Sequence, residues 1–278
     1  MYSFDPSELT LPQRHHLIIG GVAPRPIAWV STISKEGQPN IAPYSFFNAF
    51  SSNPPVLAFS PARRGRDGTL KDTYKNLKET GECVIHIVTR ELVEQMNLTS
   101  SEYSPDVDES IKAGLEMVDA VKVKPKRIKG SPIHYECTLR DMIPLGDQPG
   151  SGNLALLDVV QIHIREDLYQ DQRVMVKDID QVGRNGGNSY TACNPQTMFD
   201  VPAPRQKKGI GFDGLPPALF QSGLTKNELA MLASVEKLPE GIASLKKLTP
   251  KNVSSIQSLL KKRSIDKAWH TIRLDGNQ

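Results

Sequence analysis

Short apolar runs separated by turn-forming residues fill the first two hundred positions of the chain. Residues 27–33, IAWVSTI, are β-branched, aromatic or small and carry apolar groups on both alternating faces, which predicts a strand buried on both sides. The turn after it holds Gly37, a residue free to take a positive φ. Residues 56–60 (VLAFS), 83–88 (CVIHIV), 118–124, 135–140 and 154–164 (LALLDVVQIHI) predict further strands. Six or more strands at this spacing predict a barrel or a sandwich.

Helical periodicity interrupts the strands at a few places. Residues 72–80 predict a helix capped by Asp72 or Thr73 and stopped by Gly81. Residues 89–98 predict another, starting on Thr89, and residues 108–114 a third, short one. Strand and helix do not alternate regularly, which disfavours a doubly wound parallel sheet. Beyond about residue 210 the pattern turns helical and lysine-rich. Residues 216–221 open with proline, Thr225-Lys-Asn-Glu228 is a capping box, and Thr249-Pro250 opens a helix that ends in Lys261-Lys262-Arg263. Residues 265–272 read as a last turn around Trp269. The expected organisation is a β domain over residues 1–205 and a helical extension over 206–278.

Composition narrows the function classes. The 278 residues carry 34 Lys+Arg against 31 Asp+Glu, a net charge of +3 dispersed along the chain, which does not suggest a nucleic-acid partner. No apolar run approaches the length of a membrane span and the start is polar, so the expectation is a cytoplasmic protein with no membrane attachment. Three distant cysteines (Cys83, Cys137, Cys193) suggest buried thiols in a reducing compartment. Phosphate-loop, zinc-protease, CxxC and GxSxG motifs are absent, and no side chain stands out as a nucleophile. An enzyme built this way would rely on a cofactor.

Three segments carry candidate chemistry. Residues 40–48, NIAPYSFFN, alternate small, aromatic and amide residues around Pro43, which cannot donate to a ladder. Freed backbone groups there suit a flat heteroaromatic ring walled by Tyr44, Phe46 or Phe47; the other reading is an edge strand with aromatics in the core. Lys71-Asp72-Thr73 sits at a helix start, where unpaired N–H groups suit a phosphate; the other reading is an ordinary capped helix with a solvated lysine. Arg63, Arg64 and Arg66 lie just upstream. In the stretch from Gly183 to Tyr190, paired glycines mark an unusual backbone and Arg184 is placed to reach an anion; the other reading is a flexible turn. His86 and His163 lie in apolar strands, where a satisfied core role competes with catalysis.

The stretches RPIAWVST, GQPNIAPYSFFNAFSSNPP and KDTYKN, followed by GNLALLDVVQIHI and VGRNGGNSYT, resemble the flavin reductase-like (flavoredoxin-like) family of FMN-binding split barrels over residues 14–200. The resemblance implies a six-stranded Greek-key split β-barrel, usually a homodimer with FMN near the subunit interface. It implies FMN contacts at Ser31, Thr32, Asn40, Ala42, Tyr44, Ser45, Phe46, Phe47, Asn48, Lys71, Asp72, Thr73, Asn76 and Arg184, with His163 near the pocket as the candidate catalytic side chain. The implied activity is hydride transfer from NAD(P)H to flavin and on to an acceptor, either free flavin or a redox partner protein. The alternative is an FMN-binding electron carrier without NAD(P)H activity.

Overall fold

The computed structural model describes residues 1–204, 208–242, 245 and 247–276, and the chain divides into two compact units, residues 1–199 and 200–278. The boundary expected between residues 205 and 206 falls outside the described residues.

The first unit opens with helix α1 (Leu11–Gly21), which the apolar pattern does not announce because none of its side chains is buried. Local bonding starts it: the Thr10 amide donates to Gln13 Oε1 at 2.9 Å. Strands β1 (Ala28–Ile33) and β2 (Pro39–Tyr44) form a hairpin around Gly37, whose φ is 89°. Strands β3 (Phe47–Ser52) and β4 (Pro55–Phe59) form the next hairpin. Helix α2 (Asp72–Thr80) follows, capped by Lys71 rather than by Asp72 or Thr73, and it ends on Gly81 at φ 72°. Then come β5 (Glu82–Ile87), α3 (Val93–Leu98) and α4 (Glu109–Lys112). Helix α3 starts four residues later than Thr89 because Thr89 is held extended in a bridge to Gln181.

Strand 118–124 does not form. Only β6 (Met117–Val118) pairs, with β7 (Arg127–Ile128), and the loop between them wraps the Glu136 carboxylate. The Val121 and Lys122 amides donate to it at 2.8 and 2.6 Å, so a side chain satisfies groups that a ladder would otherwise pair. Strands β8 (Ile133–Pro144) and β9 (Asn153–Ile164) make the longest hairpin. Two short hairpins close the unit: β10 (Tyr169–Gln170) with β11 (Arg173–Val174), and β12 (Gln181–Arg184) with β13 (Tyr190–Cys193). The last of these stands where the glycine-rich stretch reads as a turn.

The main sheet has seven strands, not six, in the order β2-β1-β5-β8-β9-β4-β3, and every pairing is antiparallel. Five of the six expected strands are in it; the other two are β2, which follows the edge-strand reading of residues 40–48, and β3, hidden in the sequence because FNAFSS is largely exposed and lacks an apolar face. The two outermost strands, β2 and β3, are joined by Ser45 and Phe46 alone. A chain that short brings the end of β2 to the start of β3, so the sheet curls back on itself at that corner. No pairing joins β2 to β3, so the barrel stays open along that seam. Inside it, Val30, Phe59, Ile85, Cys137 and Leu157 pack with Leu77 of α2. Behind β1, Trp29 and Ile41 pack with Val88, Met96, Ile128 and Val182, so β1 is buried on both faces as its pattern predicts. Cys83 and Cys137 are buried, whereas Cys193 is half-exposed.

The second unit is helical, with α5 (Pro217–Phe220), α6 (Lys226–Leu232), α7 (Pro250–Lys261) and α8 (Ile265–Gly276). The Thr225–Glu228 capping box forms as the spacing predicts. Helix α8 is three turns long, not a last turn. Leu219, Leu232, Ile256 and Ile272 form a core of the unit's own, and Trp269 donates its indole N–H to the Leu232 carbonyl at 3.1 Å. Among the described residues no helix is long and apolar enough to cross a membrane.

Candidate functional site

The seam of the barrel opens into a cleft of about 480 Å³. The end of β2 and the Ser45-Phe46 link form one wall. Helix α1, the loop over residues 60–71, α3 and the β12–β13 hairpin form the others. Ile27, Tyr44, Phe46 and Met96 supply apolar surface, and six cations line the cleft: Arg25, Arg63, Arg64, Arg66, Lys71 and Arg184. Glu102 is the one carboxylate among the lining residues. Such an excess of positive charge favours an anionic ligand.

The cations differ in what they are free to do. Arg25 is buried and spent on the protein. It donates to the Ile19 and Val22 carbonyls at the end of α1, to Asn185 O at 3.1 Å and to Ser45 Oγ at 3.4 Å. One guanidinium thus ties α1, the β12–β13 loop and the seam together. Burial, with Arg184 nearby, lowers its pKa. Arg184 donates to Tyr190 Oη and to Gly187 O. Arg64 donates to Leu70 O at 2.8 Å and lies 3.6 Å from both Asp72 and Glu102. The Lys71 ammonium makes no hydrogen bond within the described residues, while its carbonyl accepts the Tyr74 and Lys75 amides of the helix start. Burial, and then Arg64, push its pKa down. A half-buried ammonium without a partner beside the first turn of a nine-residue helix is a strong anion acceptor.

A smaller recess of about 60 Å³ shares Pro43, Tyr44, Arg64, Lys71, Ser100 and Glu102 with the cleft. Asn40, Ala42, Asp72, Thr73 and Glu109 line it further in. Glu109 accepts the Ile41 amide at 3.0 Å, and burial raises its pKa. The Tyr44 hydroxyl is buried at this recess beside the Thr73 side chain, and makes no hydrogen bond of ordinary length within the described residues. A buried orphan hydroxyl costs free energy unless something pairs with it. An unpartnered ammonium, a helix start and an orphan phenol at one end, with apolar walls at the other, fit a phosphorylated ligand bearing a flat ring.

The residues expected at the site fall into three groups. Tyr44, Ser45, Phe46, Lys71 and Arg184 line the cleft, and Asn40, Ala42, Asp72 and Thr73 line the recess. Ser31, Thr32 and Asn76 are buried in internal bonds behind it: Ser31 Oγ donates to Lys126 O at 2.7 Å, and Asn76 Nδ2 to Thr32 Oγ1 at 3.1 Å. Phe47 packs into the core, and the exposed Asn48 accepts the Ala49 amide with its own side chain. Neither lines a cavity named above.

His163 also lies elsewhere. It stands opposite His134 on β8, which stands opposite His86 on β5, a row of three imidazoles across adjacent strands. His163 Nε2 bonds Glu136 Oε1 at 2.6 Å. Burial pushes Glu136 up, but its amide bonds and His163 outweigh this and hold the carboxyl below its usual range. His86 is satisfied as a neutral ring: Nδ1 donates to Trp29 O at 2.8 Å and Nε2 accepts the Ile128 amide at 3.0 Å. Its pKa is lowered to about 3 by burial, with His134 adding to the effect.

Sequence reasoning missed Arg25, Glu102, His15 and Tyr190. Arg25 alone left a signal, a charged residue directly ahead of an all-buried strand. His15 reaches the cleft from helix α1, and Glu102 and Tyr190 through loop and hairpin geometry, none of which local pattern encodes.

Comparison with known proteins places residues 20–178 under the model of the flavin reductase like domain. An uncharacterised protein of Aquifex aeolicus is 43% identical over 187 residues, covering 67% of this chain and 93% of that protein. Nitrilotriacetate monooxygenase component B from Bacillus cereus superposes with a TM-score of 0.68 at 32% identity, covering 72% of this chain and 98% of that one. The 2-nitrobenzoate 2-nitroreductase of Pseudomonas fluorescens gives 0.64 at 30% identity, with 72% and 96% covered.

Proposed function

We propose, from the premise that this chain belongs to the flavin reductase-like family, that it holds FMN in the cationic cleft and works as an NAD(P)H-dependent flavin oxidoreductase. The observation that carries this reading is the recess end of the cleft. There the unpartnered Lys71, the start of α2 and the orphan Tyr44 hydroxyl meet, a donor set suited to a phosphate and a polar chain. When bound, FMN supplies the hydride and single-electron chemistry that no side chain here offers. The protein's part is to orient and to shield. Lys71 and Thr73 hold the anionic end, and Ile27, Phe46 and Met96 exclude water from the ring. Peptide groups of residues 42–48 stabilise charge on the ring's polar edge.

We infer further that the working form is a homodimer. Helix α1 buries none of its side chains, and Leu17, Ile18, Phe46 and Phe50 stand exposed on α1, the seam and β3. A second copy of the chain would cover this apolar surface beside the cleft.

The direct test is the visible spectrum of FMN-loaded protein before and after anaerobic NADH or NADPH. Bleaching of the flavin bands supports the reductase reading. Retention of bound flavin without bleaching favours an electron carrier. Failure to bind FMN removes the site assignment.

A further inference from the structure

The net charge of +3 is not shared evenly between the two units. Residues 1–199 carry 21 Lys+Arg against 24 Asp+Glu, and residues 200–278 carry 13 against 7. The first unit is net acidic and the helical unit basic, a division that the balance of the whole chain hides. The imbalance is sharpest over residues 241–265, which hold six lysines and arginines and no aspartate or glutamate.

Helix α7 gives this charge a direction. Its Val253, Ile256 and Leu260 pack with Trp269 and Ile272 of α8 in the core of the unit. The opposite side carries Lys251, Ser255, Ser258 and, at the C-cap, Lys262, all exposed and spaced by the three- and four-residue steps that keep them on one stripe. Lys261 and Arg263 stand exposed beside its end. Among the described residues no ion pair or side-chain hydrogen bond engages Lys251, Lys261, Lys262 or Arg263. Cations of the first unit such as Arg64, Lys75, Lys129 and Arg140 are, by contrast, paired with carboxylates.

Arg263 adds a stereochemical sign. It sits at φ 56°, in the left-handed region, where its amide donates to Leu260 O at 2.8 Å and closes the helix. Glycine commonly takes this place at helix ends, because a Cβ is disfavoured there. The turn itself does not need the arginine's charge.

The kind of partner follows from what the stripe lacks. It bears no exposed aromatic or aliphatic side chain to anchor a protein interface or to enter a lipid surface. Affinity there must come from charge, and a dense polyanion supplies it by releasing its condensed counterions. Ser255 and Ser258 are short enough to let such a backbone lie along the helix.

We propose that α7 and the turn after it form a docking surface for a nucleic acid, which Lys251, Lys261, Lys262 and Arg263 grip by its phosphates without reading its sequence. The assignment is independent of the flavin cleft and gives the second unit a task of its own.

The test is fluorescence anisotropy of the full chain with a labelled mixed-sequence DNA duplex and, separately, a labelled single strand of RNA, each over a range of salt concentrations. The expected result is binding to at least one probe that weakens with salt along a log–log slope of about −3 to −4, as four phosphate contacts require; the two affinities identify the preferred nucleic acid. Changing Lys251, Lys261, Lys262 and Arg263 together to Gln should weaken binding about tenfold or more. Changing Lys35, Lys78, Lys112 and Lys124 to Gln removes the same charge from exposed positions of the first unit and should alter it little. Arg263→Gly suits the turn, so that variant should fold at least as stably while the salt slope falls by about one. Absence of binding to both probes at low salt overturns the proposal. Equal weakening by the two combined variants also overturns it, since net charge alone would then account for binding. Displacement of the probe by poly-L-glutamate as readily as by unlabelled DNA overturns it in favour of an acidic protein partner.

Discussion

Asn40 donates a 2.9 Å hydrogen bond to Thr73, and both side chains are buried. The bond ties strand β2 to the first turn of α2, the turn that carries Lys71 to the recess. Thr73→Val keeps the shape but leaves the Asn40 amide unpaired. The expected cost is about 1–3 kcal/mol of stability. A lowered thermal midpoint, restored by Thr73→Ser, checks it.

Lys71→Ala is expected to weaken FMN about ten- to a hundredfold, the worth of one charge-assisted contact. Riboflavin, which lacks the phosphate, should lose little. Comparing the two dissociation constants by fluorescence quenching separates a phosphate contact from a general loss of shape; equal losses would move the phosphate elsewhere.

How far the site was legible follows from where each residue gets its position. Strand β1 and helix α2 were readable because burial on both faces and a glycine stop leave local marks, as IAWVSTI and Gly81 show. Nearly all of β9 was readable for the same reason. Lys71 was found because it lies at a helix start; Tyr44 was found in the segment around Pro43, although Pro43 does not end the pairing and sits inside β2 opposite Trp29. Ser31, Thr32 and Asn76 lie near the site but are engaged in internal bonds, a difference of side-chain direction that spacing alone does not resolve. Helix α1 buries nothing, so no apolar stripe gave it away. The loop around Glu136 took strand-like residues and paired their amides with a carboxylate from β8, a long-range event without a local signature.

Arg25→Ala should be among the most damaging single changes in the first unit. It removes donors from the Ile19, Val22 and Asn185 carbonyls at once. The expected loss is about 2–4 kcal/mol. Arg25→Lys should recover only part of it, because one ammonium cannot span the same fork. Urea denaturation of the three proteins provides the comparison.

Acid should weaken the fold through the histidine row. Burial lowers His86 to about 3 and His134 to about 4, below the unfolded value of about 6.5. Between those values the unfolded chain binds protons that the folded chain refuses. The stabilisation is therefore complete above about pH 6.5 and is lost as pH falls, by about 1.4 kcal/mol per unit for each ring. Urea midpoints measured from pH 7 to pH 5 should decline with that slope, and His86→Gln should flatten it.

Residues 1–199 expressed alone should fold and bind FMN as tightly as the whole chain. The Bacillus cereus and Pseudomonas fluorescens proteins superpose over 98% and 96% of their own length while covering 72% of this chain, so a fold of this kind is complete without further helices. A truncated protein that fails to hold flavin would assign the helical unit a part in the site.

The link between β2 and β3 has a consequence for how such a protein can change. Everywhere else around the barrel, neighbouring strands are spaced by hydrogen bonds that stretch, slip or bulge at modest cost. At the seam the spacing is set by the contour length of two residues, Ser45 and Phe46. At the corner where the two strands meet, the separation is a covalent quantity, altered in steps of one residue by insertion or deletion. Variation in the size of ligand admitted should therefore track the length of this link more closely than the identity of the side chains around it.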